Sequence, residues 1–136
     1  MLLAVATQAT AQAPARRLTT LETLRRFPGY YHLQNILLHG EFAEEGARIQ
    51  LRADGQAMTI ALADGVRTTS GPVEVRAQLI DVGRLEPTDP RVATLPGVRD
   101  AERWPKPGEE LVLRVTGVTT IDAPTSAASQ IGRAHV

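Results

Sequence analysis

The chain contains no cysteine, so disulfides, thiolate zinc sites and cysteine nucleophiles are excluded together. It has no net charge either, since 15 acidic side chains balance 15 Lys and Arg. No broad field is available to draw in phosphate backbones or anionic lipid, and strong non-specific nucleic-acid binding is disfavoured. Lysine is nearly absent: Lys106 is alone, and the other cations are arginines. Arginine suits bidentate anion contacts, but these arginines are scattered rather than clustered, as a GC-rich coding bias would leave them. No apolar run reaches the roughly 20 residues of a membrane-spanning helix. There is no G-x-S-x-G elbow, no phosphate-binding glycine loop and no H-E-x-x-H pair. At 136 residues the chain fits one domain with its own core and has no room for a second.

What is present is a strand motif used three times, an alternating run in which the third inward position is very small. It reads Ile36-x-Leu38-x-Gly40-x-Phe42, then Val73-x-Val75-x-Ala77-x-Leu79, then Leu113-x-Val115-x-Gly117-x-Thr119. Period-two alternation marks strands that bury one face. A Gly or Ala inside such a strand lets the sheet bend or another backbone approach. Gly40, Ala77 and Gly117 are therefore read as structural positions of a small, strongly curved sheet.

Around these runs the pattern predicts five strands. The first spans roughly Leu33 to Phe42. The second alternates Ala47, Ile49, Leu51 and Ala53 against Arg48, Gln50 and Arg52, and Asp54-Gly55 supplies a tight hairpin turn, with Gly55 as its structural glycine. The third alternates Met58, Ile60 and Leu62 against Ala57, Thr59 and Ala61. The fourth starts at Val73 and changes phase at Leu79-Ile80, which predicts a β-bulge there. The fifth covers Leu111 to Ile121. Between the last two, Gly83 to Glu109 carries five prolines and reads as a long connection, the first place to look for a site. Ahead of the strands, Leu18, Leu21, Leu24 and Phe27 predict a short amphipathic helix over 18–27, with Thr19 and Glu22 as a capping box and Pro28-Gly29 as its stop.

The two ends read differently. Met1 to Ala13, MLLAVATQATAQA, ends in overlapping A-x-A sites at Ala9-Thr10-Ala11 and Ala11-Gln12-Ala13, the pattern of a partial signal peptide over residues 1–13. An exported protein, periplasmic or extracellular, is expected. The segment 123–136 is rich in Ala, Ser and Thr and is expected to be a disordered tail. Its last stretch, Gln130-Ile131-Gly132-Arg133-Ala134-His135-Val136, resembles a translated sequencing adapter and is left out of the fold reasoning. The single domain is then 14–122.

Chemistry has few candidates. His32 and His39 stand seven apart without carboxylates at metal-ligand spacing, and a zinc site needs three or four convergent ligands, so no metal and no cofactor are expected. Most acidic residues lie at turns, where Asp and Glu belong for local reasons; no catalytic residue is assigned. The polar residues best placed to meet a ligand are Tyr31, Arg48, Arg52, Arg84, Arg91 and Trp104. Arg84 and Arg91 flank Glu86 and Asp89 on a proline-stiffened loop. The competing reading there is local ion pairing that holds the loop down; for Trp104 it is a core plug or loop anchor.

The five-strand order, the curved first strand, the tight second hairpin and the small residues Gly40, Ala77 and Gly117 together resemble the OB-fold. The runs His39-Gly40-Glu41-Phe42 and Val73-Glu74-Val75-Arg76-Ala77 look like those of secreted bacterial OB-fold-like proteins, with a distant similarity to anticodon-binding-type OB domains. The resemblance covers about Leu33 to Ile121. It implies an all-β fold, a five-stranded curved barrel preceded by one short helix, and a ligand face on strands two and three. That face would offer Arg48, Gln50 and Arg52 or Ala57, Thr59 and Ala61 without stacking aromatics, which favours a protein or small polar ligand over nucleic acid. The expected role is a non-catalytic binding or structural module, forming the N-terminal part of a longer protein. The alternatives are an oligonucleotide- or oligosaccharide-binding domain and a small hydrolase using loop carboxylates.

Overall fold

The barrel is made where one long strand changes partner. In a computed structural model, which describes residues 17–121, the first alternating run forms β2 (Asn35–Glu45), preceded by a two-residue β1 (Arg17–Leu18). Asn35 to Gly40 pair antiparallel with β5 (Val73–Asp81), and Glu41 to Glu45 pair antiparallel with β3 (Arg48–Ala53). Gly40 sits at the changeover. A Cβ placed there would lie 2.5 Å from the Arg52 carbonyl oxygen, so the backbone of β3 approaches as closely as it does because this position is glycine.

From β3 the chain returns along β4 (Gln56–Leu62), with Ala53 paired to Gln56 across Asp54-Gly55. Both turn residues have positive φ, 52° and 78°, the backbone that a two-residue type I′ hairpin needs. β4 runs parallel to β6 (Leu111–Thr120), and β6 runs antiparallel to β5. The order β2-β3-β4-β6-β5 closes on itself through the β2–β5 pairing, with β1 laid parallel outside β2. Five strands closed in this order, with one parallel contact between the third and the fifth, make an all-β, OB-like barrel.

Inside the ring, Ile36, Leu38, Leu51, Met58, Ile60, Val73, Val75, Ala77, Leu79, Leu113 and Val115 form the main core. One end is plugged by Leu21 and Leu24 of α1 (Leu21–Arg26). This helix is shorter than the three-residue spacing predicts. Its cap is Thr20, whose hydroxyl accepts from the Thr23 N–H at 3.1 Å, and not Thr19. Leu18 and Phe27, expected on the buried stripe, are 59% and 54% exposed. Leu18 belongs to β1, and at Phe27 the backbone leaves helical geometry (φ −131°, ψ 54°). Pro28-Gly29 opens a second short helix, α2 (Pro28–Tyr31), because Pro already has the φ of a first helical turn and lacks only an N–H that has no partner there.

The expected bulge also moves. The register of β5 on β6 shifts between Arg76 and Ala77, which pair with Gly117 and Val115 and leave Thr116 as the extra residue. Nothing irregular happens at Leu79-Ile80. The loss of alternation there reflects burial on both faces: Leu79 belongs to the barrel core, whereas Ile80 belongs to a second cluster with Ala61, Val82, Leu85, Leu95 and Val112. That outer cluster is roofed by the long connection. A strand buried on both sides reads as a continuous apolar run.

The four structural positions differ in what they tolerate. Ala77 is fully buried in the core, Gly55 is open to solvent with positive φ, and Gly117, expected on the inward face, is turned outward by the extra residue Thr116 and lies beneath the guanidinium of Arg76, a flexible side-chain end. At Gly40 the obstacle is main chain. Gly40→Ala is expected to cost about 1–3 kcal/mol, the usual range for overpacking, and Gly117→Ala less. Thermal melts of the two variants check this ordering; equal losses would show that the Arg52 backbone yields as readily as the Arg76 side chain.

Candidate functional site

An open groove of about 1170 Å³ runs across the outer face of β2, β3 and β4. Strand alternation builds it. With Leu51 and Met58 pointing into the core, Arg48, Gln50 and Arg52 of β3 and Ala57 and Thr59 of β4 point outward. The pairs Glu41–Arg52, Ala43–Gln50 and Glu45–Arg48 extend the surface onto β2. The floor at its centre is therefore uncharged and mixed, with Ala43 and Ala57 beside Gln50 and Thr59. Charges ring it. Arg52 bridges to Glu45 at 3.3 Å with both side chains more than half exposed, a contact of little energetic weight that exchanges readily for another partner. Pro72 and Ile121, joined by a hydrogen bond from the Ile121 N–H to the Pro72 carbonyl, close the end beside Gly40.

Arg48 and Arg52 are thus brought together in this groove. The structure does not bring Tyr31, Arg84, Arg91 or Trp104 there. Tyr31 packs against the main core and edge-on to Tyr30, with ring centroids 4.9 Å apart. The Trp104 indole N–H donates to the carbonyls of Leu85 (2.9 Å) and Val82 (3.2 Å), and its ring joins the outer cluster. Arg91 pairs with Asp89 two residues away at 2.9 Å. Arg84 donates from Nε to the Asp81 carboxylate at 2.9 Å.

Asp81 is the polar residue that sequence reasoning passed over. It is fully buried, and its carboxylate also accepts the Gly108 N–H at 2.8–2.9 Å. A buried carboxylate persists only when its lone pairs are satisfied, and here the partners come from both ends of the long connection. Gly83 supports the same closure, because a Cβ there would collide with the backbone of Lys106 and Pro107. Further along, Arg99 is almost buried, donating to Glu110 and to the Pro96 carbonyl. The connection is strapped to the barrel by these contacts. No spacing signal marks Asp81, since an acidic residue at a strand end is ordinary turn chemistry.

His32 belongs to this network. Its Nδ1 accepts the Asp81 N–H at 3.0 Å, which fixes the neutral ring with its proton on Nε2. Burial pushes its pKa below the ordinary 6.5; Asp81 and Asp89 pull it back up, while Arg84 and Arg91 push it further down. His39 instead faces solvent and meets Glu74 at 3.0 Å. Among the described residues no group of three or more His, Cys, Asp or Glu is placed to hold a metal ion. Among them, too, no helix is long and apolar enough to cross a membrane.

No family model matches the chain, and no curated protein matches it in sequence. Among solved structures, it is similar to a Leishmania major Friedlin protein described as an aspartyl-tRNA synthetase, with a TM-score of 0.46 at 16% identity. That match covers 86% of this chain and 22% of the other, so the chain spans about a fifth of that protein's length. The class of the molecule, an OB-like barrel, rests on its strand order and pairing.

Two outcomes test the network. Asp81→Ala is expected to cost roughly 1.5–3 kcal/mol, the range for losing hydrogen bonds to a charged group, and to raise protease cutting within residues 83–110; unchanged stability would mean that the connection is held by its apolar contacts alone. Because His32 is harder to protonate folded than unfolded, the unfolded chain binds more protons just below pH 6.5. Stability is complete above that pH and falls as the pH drops through the window beneath it. His32→Asn keeps a side-chain acceptor without the titration, so its melting temperature should fall less than the parent's between pH 7.5 and 5; identical acid slopes would remove His32 as the source.

Proposed function

We propose that this chain is an exported, non-catalytic OB-like module that binds a polypeptide or small polar ligand in the groove across β2, β3 and β4. The carrying observation is the character of that groove. Its centre mixes the short apolar Ala43 and Ala57 with the uncharged polar Gln50 and Thr59, its rim holds Glu41, Glu45 and Asp54 against Arg48 and Arg52, and the half-buried Phe42 is its one aromatic residue. A single-strand nucleic-acid groove combines a cationic track with stacked rings. This surface supports neither component, and its acidic excess opposes a phosphate backbone. Tyr31, which an oligonucleotide- or oligosaccharide-binding reading would enlist, packs instead against the core. Export is supported by the overlapping A-x-A sites of residues 1–13.

The test is a titration of purified protein at micromolar concentration against peptide, polar metabolite, glycan and single-stranded DNA pools. Peptide or small polar ligands should bind, and Ala57→Trp, which fills the groove centre, should weaken that binding by about tenfold with little change in melting temperature. Tight, salt-sensitive binding of DNA, or ligand binding indifferent to Ala57→Trp, would overturn the reading.

A further inference from the structure

Among the described residues, the partner change at Gly40 leaves one edge of β2 without a neighbour. β5 and β6 end at this level, where Val73 pairs with both Gly40 and Thr120. Beyond it, Glu41 to Glu45 are paired with β3 alone. Their other edge opens into the groove beside Pro72 and Ile121. The carbonyl of Leu37 accepts from Thr19 on the side where β1 lies. Backbone groups alternate sides along a strand, so odd positions face β1 and then β3. The N–H and C=O groups of Phe42 and Glu44 therefore point out of the open edge. The stretch is five residues, about 17 Å long, enough for two pairs of ladder hydrogen bonds.

Its charge selects what pairs there. Glu41, Glu44 and Glu45 lie within those five residues, and Asp54 adds a fourth carboxylate against Arg48 and Arg52. Acidic side chains along an exposed edge repel a second copy of the same edge, because like charges would meet across the new ladder. A cationic strand meets no such repulsion. Glu41, Ala43 and Glu45 share the outer face, so the complementary segment is extended, with a small residue between two basic ones at alternate positions. We infer that the open edge of β2 at Glu41 to Glu45 accepts an extended basic peptide by strand addition, an assignment that rests on the groove being the binding site and names its partner.

Fluorescence anisotropy with a labelled peptide that repeats lysine-valine-alanine-valine, and with its counterpart carrying glutamate in place of lysine, tests this. The basic peptide should bind and weaken with added salt, and the acidic one should not bind. The Glu41→Gln/Glu45→Gln double variant should lose about tenfold in affinity, and Glu44→Pro, which removes an edge donor, should lose at least as much. Should Glu44→Pro fail to fold, the double variant and the salt series still decide. Equal binding of both peptides, indifference to the glutamate changes, or concentration-dependent dimerisation through this edge would overturn the inference. If Ala57→Trp weakens a ligand that Glu44→Pro leaves untouched, the groove reading stands and strand addition falls.

Discussion

The close approach of the Arg52 main chain to Gly40 is the constraint on which the rest of the barrel depends. In a closed five-stranded ring every strand serves two neighbours, and β2 does so by pairing its first half with β5 and its second half with β3. The bend between the halves carries the backbone of β3 into the space a Cβ would occupy. Closure and groove therefore have one origin. The turn that lets β2 meet β5 also frees its second half from β5, and the free half forms one wall of the groove.

A second constraint works at the opposite end of β5. Asp81, with no exposed surface, is held by Arg84, by the Gly108 N–H and by a backbone hydrogen bond to His32. Those contacts draw the start and the finish of the long connection together. The connection then covers Ile80, Val82 and Val112 with Leu85, Leu95 and Trp104. In this arrangement the longest irregular segment serves as a second core layer, while the ligand-sized concavity lies on the regular sheet. Rigid strands hold a polar surface more closely to one geometry than loops do.

Much of this architecture was legible in the residues. Alternation located all five barrel strands, Asp54-Gly55 announced its hairpin, and the outward row Arg48, Gln50 and Arg52 was readable before any coordinates. The misreadings have two causes. Leu79-Ile80 looked like a bulge because period-two reasoning assumes one wet face, and here both faces are dry. Leu18 and Phe27 fitted a three-residue spacing, yet the chain bends at Phe27 and starts its helix only after Thr20. The expectations for residues 1–13 and 123–136 lie outside the described residues.

The sequence alone determined the five barrel strands, the tight turn and the absence of cysteine chemistry, because these follow from local sterics and composition. Only the tertiary structure decided which strand passes beside which, that Asp81 and not a histidine organises the buried polar network, and that Arg48 and Arg52 share a groove from which Trp104 and Arg91 are absent. Those outcomes depend on contacts between residues tens of positions apart. No local pattern encodes them, since an aspartate at a strand end or an arginine on a loop has the same sequence neighbours whether it faces water or a fold partner.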